Sequence, residues 1–173
     1  MQKTWKDIYS EVIHIGFEKD SAYSKYKNSF VSAFNWAQTL IATTDCPIYA
    51  NTEAVKENGM FGFSHIDNFM YCVGIFDADG KFLDYTLENI DSLPDGKYTV
   101  KYRKYPDVCD GNDNYICELD YKFANILPYL IAHRVWLDDD MSKAVLYWNT
   151  YEDLKNQIQS NSCSIEVSEG WGV

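Results

Sequence analysis

An α+β fold, with an antiparallel β-sheet or small β-barrel inserted into an antiparallel helical bundle, follows from three stretches of the 173-residue chain. Two helical patterns between Glu118 and Gln159 are joined by Asp138-Asp139-Asp140, a turn short enough to force an antiparallel hairpin. Two further amphipathic patterns precede Pro47. Between the pairs, residues alternate in twos, with Tyr98, Val100 and Tyr102 against Lys97, Thr99, Lys101 and Arg103. The expected organisation is one domain over 1–173, with helices from 1–45 and 118–160, an inserted β region at 46–117 and an extended tail at 161–173.

Thr4, followed three residues later by Asp7, is a capping arrangement. Behind it Trp5, Ile8, Tyr9, Val12 and Ile15 share one helix face, so the first helix runs from Trp5 to Ile15 and stops at Gly16. The second begins after Ser21 and carries Tyr26, Phe30, Ala33, Ala37, Leu40 and Ile41 on a stripe, with Phe34 beside it. It ends near Thr43, ahead of Cys46-Pro47, because the residue before a proline is pushed out of helical geometry.

From Ile48 to Gly62 small and polar residues suggest at most a helical turn over Thr52 to Asn58. Phe69 to Phe76 reads as a buried strand, Asp77-Ala78-Asp79-Gly80 as a turn and Lys81 to Thr86 as the returning strand. Leu93-Pro94-Asp95-Gly96 is a second turn, in which Gly96 is expected to supply a positive φ. Pro106 and the loop Asp110-Gly111-Asn112-Asp113 end the sheet.

In the closing hairpin Phe123, Ile126, Leu127, Leu130, Ile131 and Val135 line one helix face, and Met141, Ala144, Val145, Trp148, Tyr151, Leu154 and Ile158 line the other. Pro128 requires either a helix capped by Asn125, with the proline in its first turn, or a kink just before the proline, which is favoured. Asp139 or Asp140 caps the last helix, where the acidic run also meets the positive end of the dipole. In the tail Ile165, Val167, Trp171 and Val173 recur with a strand's period. They either pack on their own domain or add to a neighbour's sheet edge.

A formal charge of −11 argues against nucleic-acid binding by counterion release and against an anionic membrane surface. No secretory signal follows Met1, and no apolar run reaches membrane-spanning length. The five cysteines are Cys46, Cys72, Cys109, Cys117 and Cys163. They form no CxxC or CxxH pair, which points to reduced thiols, with Cys72 in the core and Cys109 and Cys117 flanking one loop. Aromatic residues make up 16%, fourteen of them Tyr, and suit either a Tyr-rich sheet or a surface buried by a partner.

No nucleophile elbow, P-loop or H-E-x-x-H motif occurs, and His14, His65 and His133 have no acidic or thiol partner at ligand spacing. Neither catalytic, cofactor nor metal residues are expected. Asp77 to Gly80 lacks a carboxylate at the first position of a calcium loop, and helix capping accounts for Asp138 to Asp140. The one basic cluster with interleaved aromatics is Lys101-Tyr102-Arg103-Lys104-Tyr105. Its cations Lys101, Arg103 and Lys104 suit a solvated strand face, an acidic neighbour or passing nucleic acid.

The run Leu93-Pro94-Asp95-Gly96-Lys97-Tyr98-Thr99-Val100-Lys101-Tyr102, together with Ile126-Leu127-Pro128-Tyr129-Leu130-Ile131-Ala132, Lys143-Ala144 and Tyr147 to Leu154, resembles the head-to-tail adaptor proteins of tailed bacteriophages. It is similar to the tail tubular and ring proteins beneath the portal of short-tailed and crAss-like phages, over nearly the whole chain. The resemblance implies a structural virion protein, not an enzyme. It would form a ring, commonly twelvefold, between the portal and the tail or neck proteins, around a channel that genome DNA crosses without sequence-specific binding. Location in the virion neck, assembly in the host cytoplasm and no membrane partner follow from it. A docking role for Ile165, Val167, Trp171 and Val173, and subunit or channel contacts for Lys101, Arg103 and Lys104, are implied in the same way. The alternative is a small phage regulatory or inhibitory module that binds a host protein through the Tyr-rich sheet.

Overall fold

Helix α1 (Trp5–Gly16) starts at a reciprocal cap: the Thr4 hydroxyl accepts from the Asp7 amide at 3.2 Å, and the Asp7 carboxylate accepts from the Thr4 amide at 3.0 Å. Those Thr4 hydrogen bonds hold the Asp7 carboxyl below its ordinary range. The computed structural model describes residues 2–17, 21–61, 63, 66–83 and 92–163. Among these the chain is α+β and divides into two compact units, one of Met1–Ile41 with Val108–Val173 and one of Ala42–Asp107.

The first unit is helical. Helix α2 (Ser21–Thr44) buries Phe30, Ala33, Ala37 and Ile41 of the expected stripe and Phe34 beside it, while Tyr26 and Leu40 are half-buried. Trp5 of α1 meets Phe34 edge-on with ring centroids 5.1 Å apart. Helix α3 (Tyr121–Trp136) is capped by Asp120, which accepts from the Lys122 amide at 2.9 Å. Pro128 therefore lies inside a continuous helix, and the alternative in which Asn125 begins it does not hold. Pro128 has no amide for the Ala124 carbonyl, and the burial of Ala124, Leu127, Leu130 and Ile131 around it offsets that loss.

Helix α4 (Met141–Cys163) folds back on α3 after a turn in which the Asp139 and Asp140 amides both donate to the Trp136 carbonyl. Asp140 is the cap, accepting from the Ser142 and Lys143 amides at 3.0 and 3.2 Å. One expectation fails in this helix. Met141 and Val145 share the apolar period but are 61% and 49% exposed, because the seam is made by Ala144 and Tyr151, with Trp148, Leu154 and Ile158 half-buried beside them.

The carboxyl end of α1 is held by aromatic tips from the hairpin. Trp136 Nε1 donates to the Gly16 carbonyl at 3.2 Å and the Tyr147 hydroxyl to the Ile15 carbonyl at 2.8 Å, satisfying two acceptors that a helix end leaves open. The Trp136 indole also stacks on Phe17 at 5.1 Å.

Residues 108–117 belong to this helical unit, and the inserted region therefore ends at Asp107, not at residue 117. Cys109, Cys117 and Leu119 are buried in it. The Trp5 amide donates to the Tyr115 carbonyl at 2.7 Å, the Cys117 amide to the Lys3 carbonyl at 2.9 Å, and Asn35 brackets the Cys109 main chain through both side-chain atoms. Gly111 turns the loop at φ +86°, where a Cβ would come within 3.1 Å of Val31. Cys46, Cys72, Cys109 and Cys117 are free thiols, and burial raises the Cys109 pKa.

The second unit is an antiparallel sheet of β1 (Ile48–Glu57), β2 (Met60–Phe61), β3 (Phe69–Phe76), β4 (Phe82–Leu83) and β5 (Gly96–Lys104), in the order β2-β1-β5-β3-β4. Among the described residues it is an open sheet, which decides between sheet and barrel. Its core holds Ala54, Ile75, Tyr98, Val100 and Tyr102, with Phe63, Phe69 and Cys72 packed against them.

Strand β1 replaces the expected helical turn over Thr52 to Asn58. Its inward positions are Ala50, Thr52, Ala54 and Lys56, small or polar residues that give no hydrophobic period, and buried Lys56 donates to the Leu93 carbonyl at 2.7 Å. The tight turn lies at Asn58-Gly59, with φ 53° and 80°, and the Asp95 carboxylate accepts from both amides. Gly96 does not take a positive φ: it opens β5 opposite Lys56, and the turning is done by the residues before it. Asp77 to Gly80 is the expected turn, with Gly80 at φ +77°.

Burial pushes the Tyr115 phenol well above its ordinary value of 10.0, and Gln38 Nε2 donates to its oxygen at 3.0 Å. A phenol whose pKa is raised by folding stabilises fully below the unfolded value, and that stability falls as pH rises through it. Chemical denaturation should therefore show stability declining above about pH 10. Tyr115→Phe should flatten that decline while costing about 1 kcal/mol at neutral pH through the lost Gln38 hydrogen bond.

Candidate interaction surface

Strand β5 alternates as its sequence requires, so Tyr98, Val100 and Tyr102 point into the core of the sheet unit while Lys97, Thr99 and Lys101 stay exposed. The outward row at one end of the sheet is Tyr49, Arg103 and Tyr71 on three neighbouring strands. Tyr49 and Tyr71 are 52% and 47% exposed, so their rings form part of the outer face.

The three cations of the basic cluster have different environments. Arg103 donates through Nη2 to the carbonyl of Ala42, in the last turn of α2, and through Nη1 to the Tyr71 hydroxyl at 3.2 Å. Its guanidinium lies 5.8 Å from the Tyr71 ring centre, and its Nε is buried with no partner among the described residues. Lys104 pairs with Asp107 at 3.1 Å, and Asp107 also accepts from Asn68 at 2.6 Å. Lys101 remains outward, 5.4 Å above the Tyr49 ring. Two of the three are therefore committed inside the unit, and an acidic neighbour of the same chain meets one of them.

In the helical unit Val108, Ile116 and Tyr121 are exposed, and three further exposed apolar side chains stand on α4. Met141 and Val145 stand four residues apart on one side of the first two turns, and Leu146, itself 60% exposed, projects about 100° further round the same solvent-facing half of the helix. Leu146 lies off the expected seam, and that departure is the sequence signal for an apolar outer face. His133 is structural: its Nδ1 lies 2.9 Å from the Ala144 carbonyl, an acceptor only, so that nitrogen carries the proton. Its ring packs near Trp148 and Trp36.

A groove of about 400 Å³ in the same unit is lined by Asn28, Ser29, Ser32, Ala33, Arg134, Val135, Leu137 and Asp138. Its lining is polar and brings no nucleophile up to a base. Among the described residues no three His, Cys, Asp or Glu side chains converge as metal ligands, and no helix is long and apolar enough to cross a membrane. Ile165, Val167, Trp171 and Val173 lie outside the described residues.

Replacing each cation separates structural from surface roles. In urea denaturation Arg103→Ala should cost about 2 kcal/mol, because the buried Ala42 carbonyl loses a charged donor. Lys101→Ala should stay within about 0.5 kcal/mol. Compared with known protein families and with characterised proteins, the chain matches neither a family model nor any individual relative.

Proposed function

We propose that this chain is a structural virion protein that assembles as a ring, commonly twelvefold, at the portal-tail junction of a tailed bacteriophage. In this reading it binds the portal and tail or neck proteins around the channel that the genome crosses. The observation that carries it is the Met141, Val145 and Leu146 patch: three large apolar side chains held outward on a rigid helix whose other side is a packed seam. Surfaces of that kind are buried by partners. The order of elements, helix pair, sheet, helix pair, is the one the adaptor resemblance implies.

The acidic charge suits a channel wall along which DNA slides without adhering. With Arg103 and Lys104 engaged inside the sheet unit, Lys101 is the cation of that cluster left to meet a neighbouring subunit or passing DNA. Ile165, Val167, Trp171 and Val173 are the proposed docking segment.

A second reading, a regulatory module for a host protein, is favoured by one feature, the exposed Tyr49 and Tyr71 rings on the sheet. Mass spectrometry of purified particles separates the two: stoichiometric presence selects the ring, and absence from particles with capture of one host protein selects the module.

Val145→Glu with Leu146→Glu should abolish co-sedimentation with the portal protein. Each lost apolar contact is worth roughly 1.5–3 kcal/mol, so association should weaken on the order of a hundredfold or more, with the helical circular dichroism unchanged. Unaltered assembly by this variant would overturn the role given to the α4 patch.

A further inference from the structure

Strand β1 is fully paired on one side only. Against β5 it runs from Ile48 opposite Lys104 to Lys56 opposite Gly96 without a register shift, while on the other side β2 covers Lys56 and Glu57 alone. From Ile48 to Val55 the main chain therefore presents an edge with no strand beside it among the described residues. Every second residue along such an edge points an amide and a carbonyl outward.

The other flank of the sheet is less regular. Strand β4 covers only Ile75 and Phe76 of β3, but the pairing of β3 with β5 shifts twice, between Phe69 and Tyr71 and between Cys72 and Gly74. Such irregularities bend and twist an edge away from a flat template. The free window of β1 has no shift and no proline, and its single charged residue is Glu53. Glu53 is the one device in it of the kind that keeps edges apart.

We propose that this edge pairs with the same edge of a second copy, antiparallel and centred on Thr52, joining two sheets across a two-fold axis. The register follows from the residues. Centred on Thr52, Tyr49 lies opposite Val55 of the second copy and Asn51 opposite Glu53, while Ala50 faces Ala54 and Thr52 faces itself. These are aromatic with β-branched, carboxamide with carboxylate, and hydroxyl with hydroxyl, the pairings that stabilise neighbouring strands.

An odd shift would turn the two apolar faces to opposite sides. Centring on Glu53 would set that carboxylate against its own copy and push Ala50 against Lys56, which β2 already covers. Centring on Asn51 would run Val55 beyond the strand to Pro47. Centring on Thr52 pairs Tyr49 to Val55 within the free window without setting like charges opposite each other, and leaves only Ile48 opposite the covered Lys56. The contact closes at two copies, so it is a property of the free protein that stands apart from the ring reading.

The test is sedimentation of the full chain at about 50 μM, where a micromolar contact is largely formed. Wild type should be a dimer. Asn51→Glu, on an exposed position, places like charges opposite each other twice and should weaken the dimer about tenfold. Adding Glu53→Lys in the same chain turns both clashes into ion pairs and should restore it. The Thr52→Cys variant should cross-link to its own copy on oxidation, with the disulfide between the two substituted positions identified by peptide mass spectrometry. A wild-type monomer, a dimer indifferent to Asn51→Glu, or a Thr52→Cys variant that does not link would each overturn the proposal.

Discussion

The helical unit is made from two lengths of chain that the sheet separates, so its integrity depends on contacts between residues far apart in sequence. The Trp136 to Gly16 hydrogen bond spans 120 residues, and the Tyr147 to Ile15 bond spans 132. Both end on the last carbonyls of α1, groups that no helix can satisfy alone. The same indole stacks on Phe17, which meets Phe30 of α2 edge-on at 5.0 Å. A polar requirement and an aromatic cluster are thus met by one side chain, and the closing hairpin is fixed to both opening helices. Closing so long a loop has an entropic cost that grows only slowly with its length, which is why an insertion of this size is tolerated.

The sheet unit solves a different problem. Its core is thin and aromatic, and Tyr98 and Tyr102 fill space that the small residues of β1 leave open. Tyr98 keeps its hydroxyl satisfied by donating to the Pro94 carbonyl at 2.6 Å. Buried Lys56 reaches the Leu93 carbonyl, so a charged side chain stands on the core face where a hydrophobe is expected. On the outer face Lys101 and Arg103 of β5 lie against tyrosine rings of the two neighbouring strands, Lys101 with its side chain exposed and Arg103 with its guanidinium bonded to the Ala42 carbonyl and the Tyr71 hydroxyl.

What the sequence disclosed, and what it withheld, follows the same physics. The Thr4 and Asp7 cap, the α2 stripe, the α3-α4 turn and the alternation of β5 were legible because a local rule fixes each. Strand β1 was not, since Ala50, Thr52, Ala54 and Lys56 carry the period of a strand without the hydrophobicity that reveals it. The helical turn expected over Thr52 to Asn58 passed over Asn58-Gly59, a hairpin dipeptide that supplies the positive φ expected instead at Gly96. The irregular 108–117 segment has no period at all, so only tertiary contacts assign it to the helices. Met141 and Val145 fit a buried stripe as well as an exposed one. Periodicity tells which residues share a face, not what covers that face.

That last ambiguity bears on assembly. Copies carrying a charge of −11 repel one another at long range, but salt screens exposed charges beyond about 10 Å, so association is decided by the patches that touch. Two such patches are the outer side of the first turns of α4, whose apolar residues adjoin the exposed Asp138 and Asp139, and the β1 window, which carries Glu53 as its one charged residue. They differ in symmetry. A strand edge that pairs with itself saturates at two copies, whereas a ring requires each subunit to present two unlike surfaces to its neighbours. The edge contact therefore cannot propagate a ring; the ring proposed above would instead set the apolar helix face of one copy against an unlike surface of the next. Because the two surfaces lie on different units of the chain, each form of association can be removed while the other is kept.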